Sequence, residues 1–187
     1  MNTPTRLSLL LLICVSAIVG NAQTDQFKID IGAGISGGLI TENTQTLQAN
    51  AFVGLNLPSK KFQIRLDGYY FIDSWGDRPR FQINHQAYLG VFYNLPFEKI
   101  IPYVGIQGGI AYSQSSEYGV TDVSTGEIDY QKTINPLISG IVGANYPIAE
   151  KINIFAQLRY ISGRHQSDTY PIYLDELRFS LGAVYQF

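Results

Sequence analysis

From Phe27 to Ile35 the chain alternates without a fault. Phe27, Ile29, Ile31, Ala33 and Ile35 are apolar, whereas Lys28, Asp30, Gly32 and Gly34 are polar or glycine. A period of two is that of a β-strand with one face in apolar surroundings. Leu47, Ala49, Ala51, Val53, Leu55 and Leu57 continue it against Gln48, Asn50, Phe52, Gly54 and Asn56. Phe62, Ile64, Leu66, Tyr70 and Ile72 alternate with Gln63, Arg65, Asp67 and Asp73, and Ile83, Ala87, Leu89, Val91, Tyr93 and Leu95 with Gln82, Asn84, Gln86 and Asn94. Further runs cover roughly 101–112, 136–146, 152–161 and 176–187. The pattern predicts an all-β chain of eight strands, each of about 9 to 13 residues, with no amphipathic helix of useful length.

The connections predict how these strands are arranged. Asn56-Leu57-Pro58, Asn94-Leu95-Pro96 and Asn145-Tyr146-Pro147 each end a strand and lead through a short charged stretch, ending in lysine, to the next. Proline stops a ladder and sets a turn, so these are three tight hairpins at every second connection. The other four connections, roughly 39–46, 74–80, 114–132 and 162–174, are longer and polar. Short turns at one end, long loops at the other and both chain ends on the short-turn side are expected of an up-and-down transmembrane β-barrel.

A water-soluble barrel would alternate too, and the composition of the polar face separates the two. That face carries glycine, glutamine, asparagine and serine together with Phe52, Tyr69, Phe71, Tyr88, Phe92, Tyr103 and Phe155. Its charges are few: Lys28, Asp30, Arg65, Asp67, Asp73, Arg159, Glu176 and Arg178. Glycines, large aromatics and balanced charge suit a crowded interior rather than a hydrated surface. The apolar face then meets lipid, with Tyr93, Tyr146 and Tyr185 near the short turns and Tyr70 and Tyr112 near the long loops as interfacial girdles. Isolated charges in such an interior are costly, so they are expected to pair into a plug, which excludes an open porin.

Residues 1–22 differ from the rest. Arg6 precedes an apolar run from Leu7 to Val19, and Gly20-Asn21-Ala22 offers the small residues of a signal-peptidase site. The stretch reads as a cleaved signal peptide, leaving 23–187 as one barrel domain. Cys14, the single cysteine, leaves with it, so neither a disulfide nor a thiolate metal site is available. Loss of Arg6 leaves 12 basic against 15 acidic side chains. No basic patch points to nucleic acid.

Signal peptide, eight alternating strands, "PYVGIQGGIAY" at 102–112 and the closing "VYQF" resemble the small OmpA/OmpX-like outer-membrane barrels. The resemblance implies a monomeric, integral protein of the bacterial outer membrane with both mature termini in the periplasm. It implies contact with outer-membrane lipid and lipopolysaccharide, and assembly through a last strand ending in Tyr185 and Phe187. Its members serve varied roles, so a structural or surface-interaction role through the external loops is the expectation. Trp75 with Arg78 and Arg80 in the 74–80 connection would suit anionic lipopolysaccharide headgroups, and the 114–132 connection is acidic.

Candidate chemistry is sparse. Gly32-x-Gly34-x-x-Gly37 has the spacing of a dinucleotide turn, but a polar connection and another strand follow it instead of a helix. His85 has outward parity near the external end of its strand. His165 and Ser167 form a His-x-Ser pair that resembles the pair of outer-membrane lipid A deacylases, in which histidine activates serine. Here the pair falls in the fourth long connection and lacks the Ser-Asn continuation of those enzymes. No catalytic, cofactor-binding or metal site is assigned. The two alternatives to a surface-interaction barrel are a lipid A-modifying barrel enzyme using His165 and Ser167, and a soluble, periplasmic, calycin-like binding barrel.

Overall fold

The computed structural model describes residues 27–187 except 41–43, 60, 77–80, 96, 98, 116–119, 122, 124–125 and 167–170. The signal-peptide reading of 1–22 lies outside the described residues, as do Arg78 and Arg80.

Eight long antiparallel strands close on themselves. They are β1 (Lys28–Ile40), β2 (Thr44–Asn56), β3 (Phe62–Gly76), β4 (Phe81–Asn94), β5 (Ile101–Ser115), β8 (Lys132–Ala149), β9 (Ile152–His165) and β11 (Glu176–Gln186). Each pairs with its neighbour in this order, and β11 returns to β1 through eleven residue pairs from Asp30↔Gln186 to Ile40↔Glu176. Three two-residue strands lie in the connections: β6 (Val120–Thr121) pairs with β7 (Ile128–Asp129), and β10 (Ile172–Tyr173) lies against the end of β9.

The barrel is apolar outside and polar inside. Ile35, Ile106 and Ile134, each more than three-fifths exposed, belong to a belt of aliphatic side chains on the outer surface. All seven aromatics expected inside are buried. Water would leave such an outer face unpaired, whereas lipid matches it, and closure leaves no free backbone edge in the hydrocarbon. This excludes the soluble calycin-like alternative. Among the described residues no helix is long and apolar enough to cross a membrane.

The strands run 11 to 18 residues, longer than alternation alone indicates. The excess lies mostly at the long-loop end. There the strict alternation lapses while the backbone ladder continues, because pairing needs a partner strand and not an apolar face. The connection expected at 39–46 is the clearest case. Gly37 and Gly38 do not end β1; Gly38 pairs with Thr46, and only 41–43 separate β1 from β2. The acidic 114–132 connection likewise contains the β6–β7 hairpin. Pro147 is not a turn residue: it sits within β8 opposite Asn153, at an irregularity between Pro147 and Ala149 where a missing N–H is tolerated. Asp73, expected inside, is exposed, because a bulge at Leu47/Gln48 shifts the β2–β3 register and reverses its parity.

The β3–β4 ladder stops at Tyr69↔Gln86, whereas β4 continues to pair with β5 as far as Phe81. Above that point the Phe71 N–H is met by His85 Nδ1 at 3.1 Å, and the His85 ring stacks on Tyr70 at 4.5 Å. His85 thus has the outward parity expected of it, and it bridges a seam in the wall.

The glycines of the apparent dinucleotide turn separate by parity. Gly34 faces Gly182 across the closing ladder, where a Cβ would come within 2.9 Å of the Gly182 Cα, and Gly32 makes room for the Phe52 ring. Gly37 points outward into open space. Gly34→Leu is therefore expected to abolish the folded form that migrates anomalously on an unheated gel, and Gly37→Ala to leave that gel shift intact.

Candidate functional site: the filled lumen

The inward residues stack in layers from the short-turn end upward. The lowest layer is a cavity of about 210 Å³ lined by Lys28, Asp30, Asn56, Gln63, Asn94, Ile101, Asn145, Asn153 and Gln186. Three of its carboxamides, Asn56, Asn94 and Asn145, are the asparagines of the three Asn-x-Pro repeats. Asp30 was expected to pair with a cation. Instead its carboxylate accepts from Gln186 Nε2 at 3.0 Å and from Asn56 Nδ2 and Gln63 Nε2 at 2.8 Å each. Four strands, β11, β1, β2 and β3, meet at this one carboxylate.

Above it lies an aromatic layer built around Arg65. The guanidinium carbon sits 3.6 Å from the centre of the Phe52 ring and 4.8 Å from that of Phe92. Phe155 packs edge-on against Phe52. Cation–π contact is strengthened where water is excluded, as it is here.

The charged layer comes next, and the expected pairing is present in it. Asp67 Oδ1 accepts from Arg65 Nη2 at 2.6 Å and from Arg65 Nε at 3.0 Å. Gln107 Nε2 donates to Asp67 Oδ2 at 2.5 Å. Arg159 Nη2 stands 3.5 Å from Asp67 Oδ1, an ion pair too long and misdirected for a hydrogen bond. Gln157 ties the layer together: its Oε1 accepts from Arg65 and Tyr103, and its Nε2 donates to Tyr69 Oη. Higher still, Arg178 Nη2 donates to Glu176 Oε2 at 2.5 Å and to Gln86 Oε1 at 2.9 Å, while Thr46 holds Glu176 Oε1. Five ionised side chains therefore occupy the middle of the lumen, each at most 2% exposed.

The top is apolar. Ile40, Phe81, Leu137 and Ile161 come from the wall, and Ile172 and Leu174 come from the segment carrying β10, which folds inward over them. Leu174 N donates to Gly163 O at 3.0 Å and fixes that segment to β9. Polar clamps below and apolar side chains above thus fill much of the lumen among the described residues.

His165 is not a loop residue. It ends β9, faces inward and is 1% exposed. It lies beyond the lipid-facing belt, since its outward neighbours Ser162 and Arg164 are polar. Its Nδ1 is 2.8 Å from Ser113 Oγ and 3.0 Å from Thr133 Oγ1. Asn135 Nδ2 donates to both hydroxyl oxygens and joins them to the imidazole in one network. Burial holds the imidazole below its ordinary value of 6.5. Ser167 lies outside the described residues. Parity alone could not reveal Ser113 and Thr133, which reach His165 from β5 and β8. Among the described residues no group of His, Cys, Asp and Glu could hold a metal ion.

No protein-family model and no curated protein matches the chain. Solved structures do match its fold. Neisserial surface protein A is similar at a TM-score of 0.63 and 11% identity, over 86% of this chain and 97% of that one. The outer membrane protein OprG of Pseudomonas aeruginosa gives 0.62 and 11%, over 87% and 96%. Ail, the attachment invasion locus protein of Yersinia pestis, solved with the heparin analogue sucrose octasulfate, gives 0.51 and 12%, over 87% and 98%. The fold is that of the small eight-stranded outer-membrane β-barrels.

Two outcomes follow from the layers. Asp67→Asn leaves Arg65 and Arg159 without their carboxylate, and removing one partner of a buried ion pair costs about 3–5 kcal/mol. Urea unfolding in lipid vesicles, followed by the fluorescence of the single tryptophan, should show a loss of that order. For His165 the folded value is depressed, so the unfolded chain takes up the proton first. Stability from this site is complete above about 6.5 and falls as the pH drops below it. Hydrogen-exchange protection of 172–175, corrected for the intrinsic pH dependence of exchange, should fall on acidification in the wild type and show no such step in His165→Asn.

Proposed function

We propose that this chain is a monomeric, non-enzymatic protein of the bacterial outer membrane that acts through its surface rather than through its lumen. The observation that carries the reading is the filled interior: five buried charges, a ring of aromatics and an apolar cap occupy the space a solute would need. An eight-stranded barrel has room for its own side chains and little else. Transport through the barrel is accordingly not its role.

The surface then does the work. Both ends of the described barrel, at Lys28 and Gln186, lie with the short turns, and we assign that end to the periplasm by the usual asymmetry of such barrels. The long-loop end carries features suited to a negatively charged glycolipid or glycan surface. Trp75 donates from Nε1 to Gln45 Oε1 at 2.6 Å and remains nearly half exposed, and the Arg164 guanidinium lies 4.8 Å from the ring centre of exposed Tyr173. An aromatic ring beside a cation at the membrane rim meets the sugar and phosphate of lipopolysaccharide on matched terms. At the other end, Tyr185 packs on Phe187 at 4.7 Å between ring centres, and we assign this outward aromatic pair to recognition by the assembly machinery.

The lipid A-modifying alternative is disfavoured by the position of His165. A base acting on lipid must reach it, whereas this ring faces inward beneath Phe81 and is already engaged by two hydroxyls. The protein reconstituted in planar bilayers should give no discrete conductance steps. Regular, ion-selective steps would overturn the sealed-lumen reading. In cells, Arg164→Ala with Trp75→Ala should weaken co-purification of lipopolysaccharide while leaving the heat-dependent gel shift unchanged.

A further inference from the structure

The charge layer does not balance. In the middle layer Arg65, Arg159 and Arg178 face Asp67 and Glu176, a local excess of one positive charge among the described residues. The third buried carboxylate, Asp30, lies in the layer below and meets neutral carboxamides in place of an arginine. The apolar cap separates this layer from the loops above.

The surplus is localised. Arg159 and Arg178 are register partners in the β9–β11 ladder, which puts their Cα atoms about 5 Å apart, both pointing inward. Like charges directly opposite on one sheet face repel. Tyrosine rings cover the faces of both guanidinium groups: Arg159 lies 4.3 Å from the centre of Tyr88, and Arg178 lies 4.4 Å from that of Tyr69. Their edges are incompletely used. Arg159 Nε and Arg178 Nη1 have no hydrogen-bond partner, and Arg159 Nη2 has only its long approach to Asp67.

Neutral donors around them are in the same condition. Asn84 Nδ2, Asn50 Nδ2 and Gln48 Nε2 are buried and unpartnered. The bonded chain Thr46–Glu176–Arg178–Gln86–Asn84 brings Asn84 to the level of Arg178, and Gln48 is two residues along β2 from Thr46. Unpartnered donors outnumber unpartnered acceptors six to two, the latter being Gln48 Oε1 and Gln107 Oε1.

We propose that the lumen binds one small monovalent anion, of the class of chloride, between Arg159 and Arg178. Water would satisfy the N–H groups and leave the charge. A monovalent anion satisfies both, whereas a divalent oxyanion would reverse the imbalance. Polar clamps lie below the layer and apolar side chains above it, so water has limited access to the ion among the described residues.

The test uses the whole barrel refolded into detergent or lipid. At equal ionic strength, the unfolding midpoint should be higher in chloride or bromide than in gluconate, with an effect that saturates. Arg159→Gln brings the layer to two against two and should lose this anion dependence. Crystals of the wild type grown from protein refolded in bromide should show one anomalous peak within hydrogen-bonding range of Arg159 or Arg178, a readout that needs no variant to fold. Equal midpoints in chloride and gluconate, or bromide crystals with only water between the two arginines, would sink the proposal. A tyrosinate absorbance at neutral pH would place the balancing charge on the protein itself and overturn it equally.

Discussion

A strand inside a lipid bilayer has no water to fall back on, so every backbone N–H and C=O must find a partner within the protein. The eleven-pair ladder between the first and last strands meets that requirement here, and the rest of the molecule follows from it. Closure requires two strands to approach closely at Gly34 and Gly182. It turns the polar face of every strand towards a common axis, and it forces whatever stands on that face into a space only slightly larger than the side chains themselves.

The contents of that space are arranged by what each group needs. Carboxamides stand where the lumen opens towards water and can share protons among themselves and with Asp30. Rings stand where a guanidinium must be shielded without a full counter-charge, as Tyr88 and Tyr69 shield Arg159. Aliphatic groups gather towards the long-loop end. The arginines stitch distant strands together: Arg65 from β3 reaches Gln157 of β9, and Arg178 from β11 reaches Gln86 of β4. These cross-lumen bonds resist shear between opposite walls, which the ladders alone do not.

Much of this was legible in the sequence because a period of two tolerates no ambiguity. Once Ile29 is known to alternate with Asp30, the side of each following residue is determined, and all seven inward aromatics were read correctly on that basis. Legibility failed where side-chain pattern and backbone pairing part company. Gly37, Gly38 and Leu39 break the alternation yet extend the ladder, so the first loop was read too long. One bulge on β3 reversed Asp73. His165 was read as a loop residue because β9 outlasts its apolar positions. The opposition of Arg159 and Arg178, and the meeting of Ser113 and Thr133 on His165, depend on register between strands far apart in the chain, and periodicity carries no register.

The seam above Tyr69 and Gln86 has a mechanical meaning. Over most of its circumference the wall behaves as a continuous hoop, in which a sideways load is shared by many parallel bonds. At the β3–β4 seam side chains take over from the ladder: the His85 ring, stacked on Tyr70, meets the Phe71 N–H, and Ser74 Oγ reaches Phe81 O. A lateral load there bears on side-chain contacts in place of a row of parallel bonds.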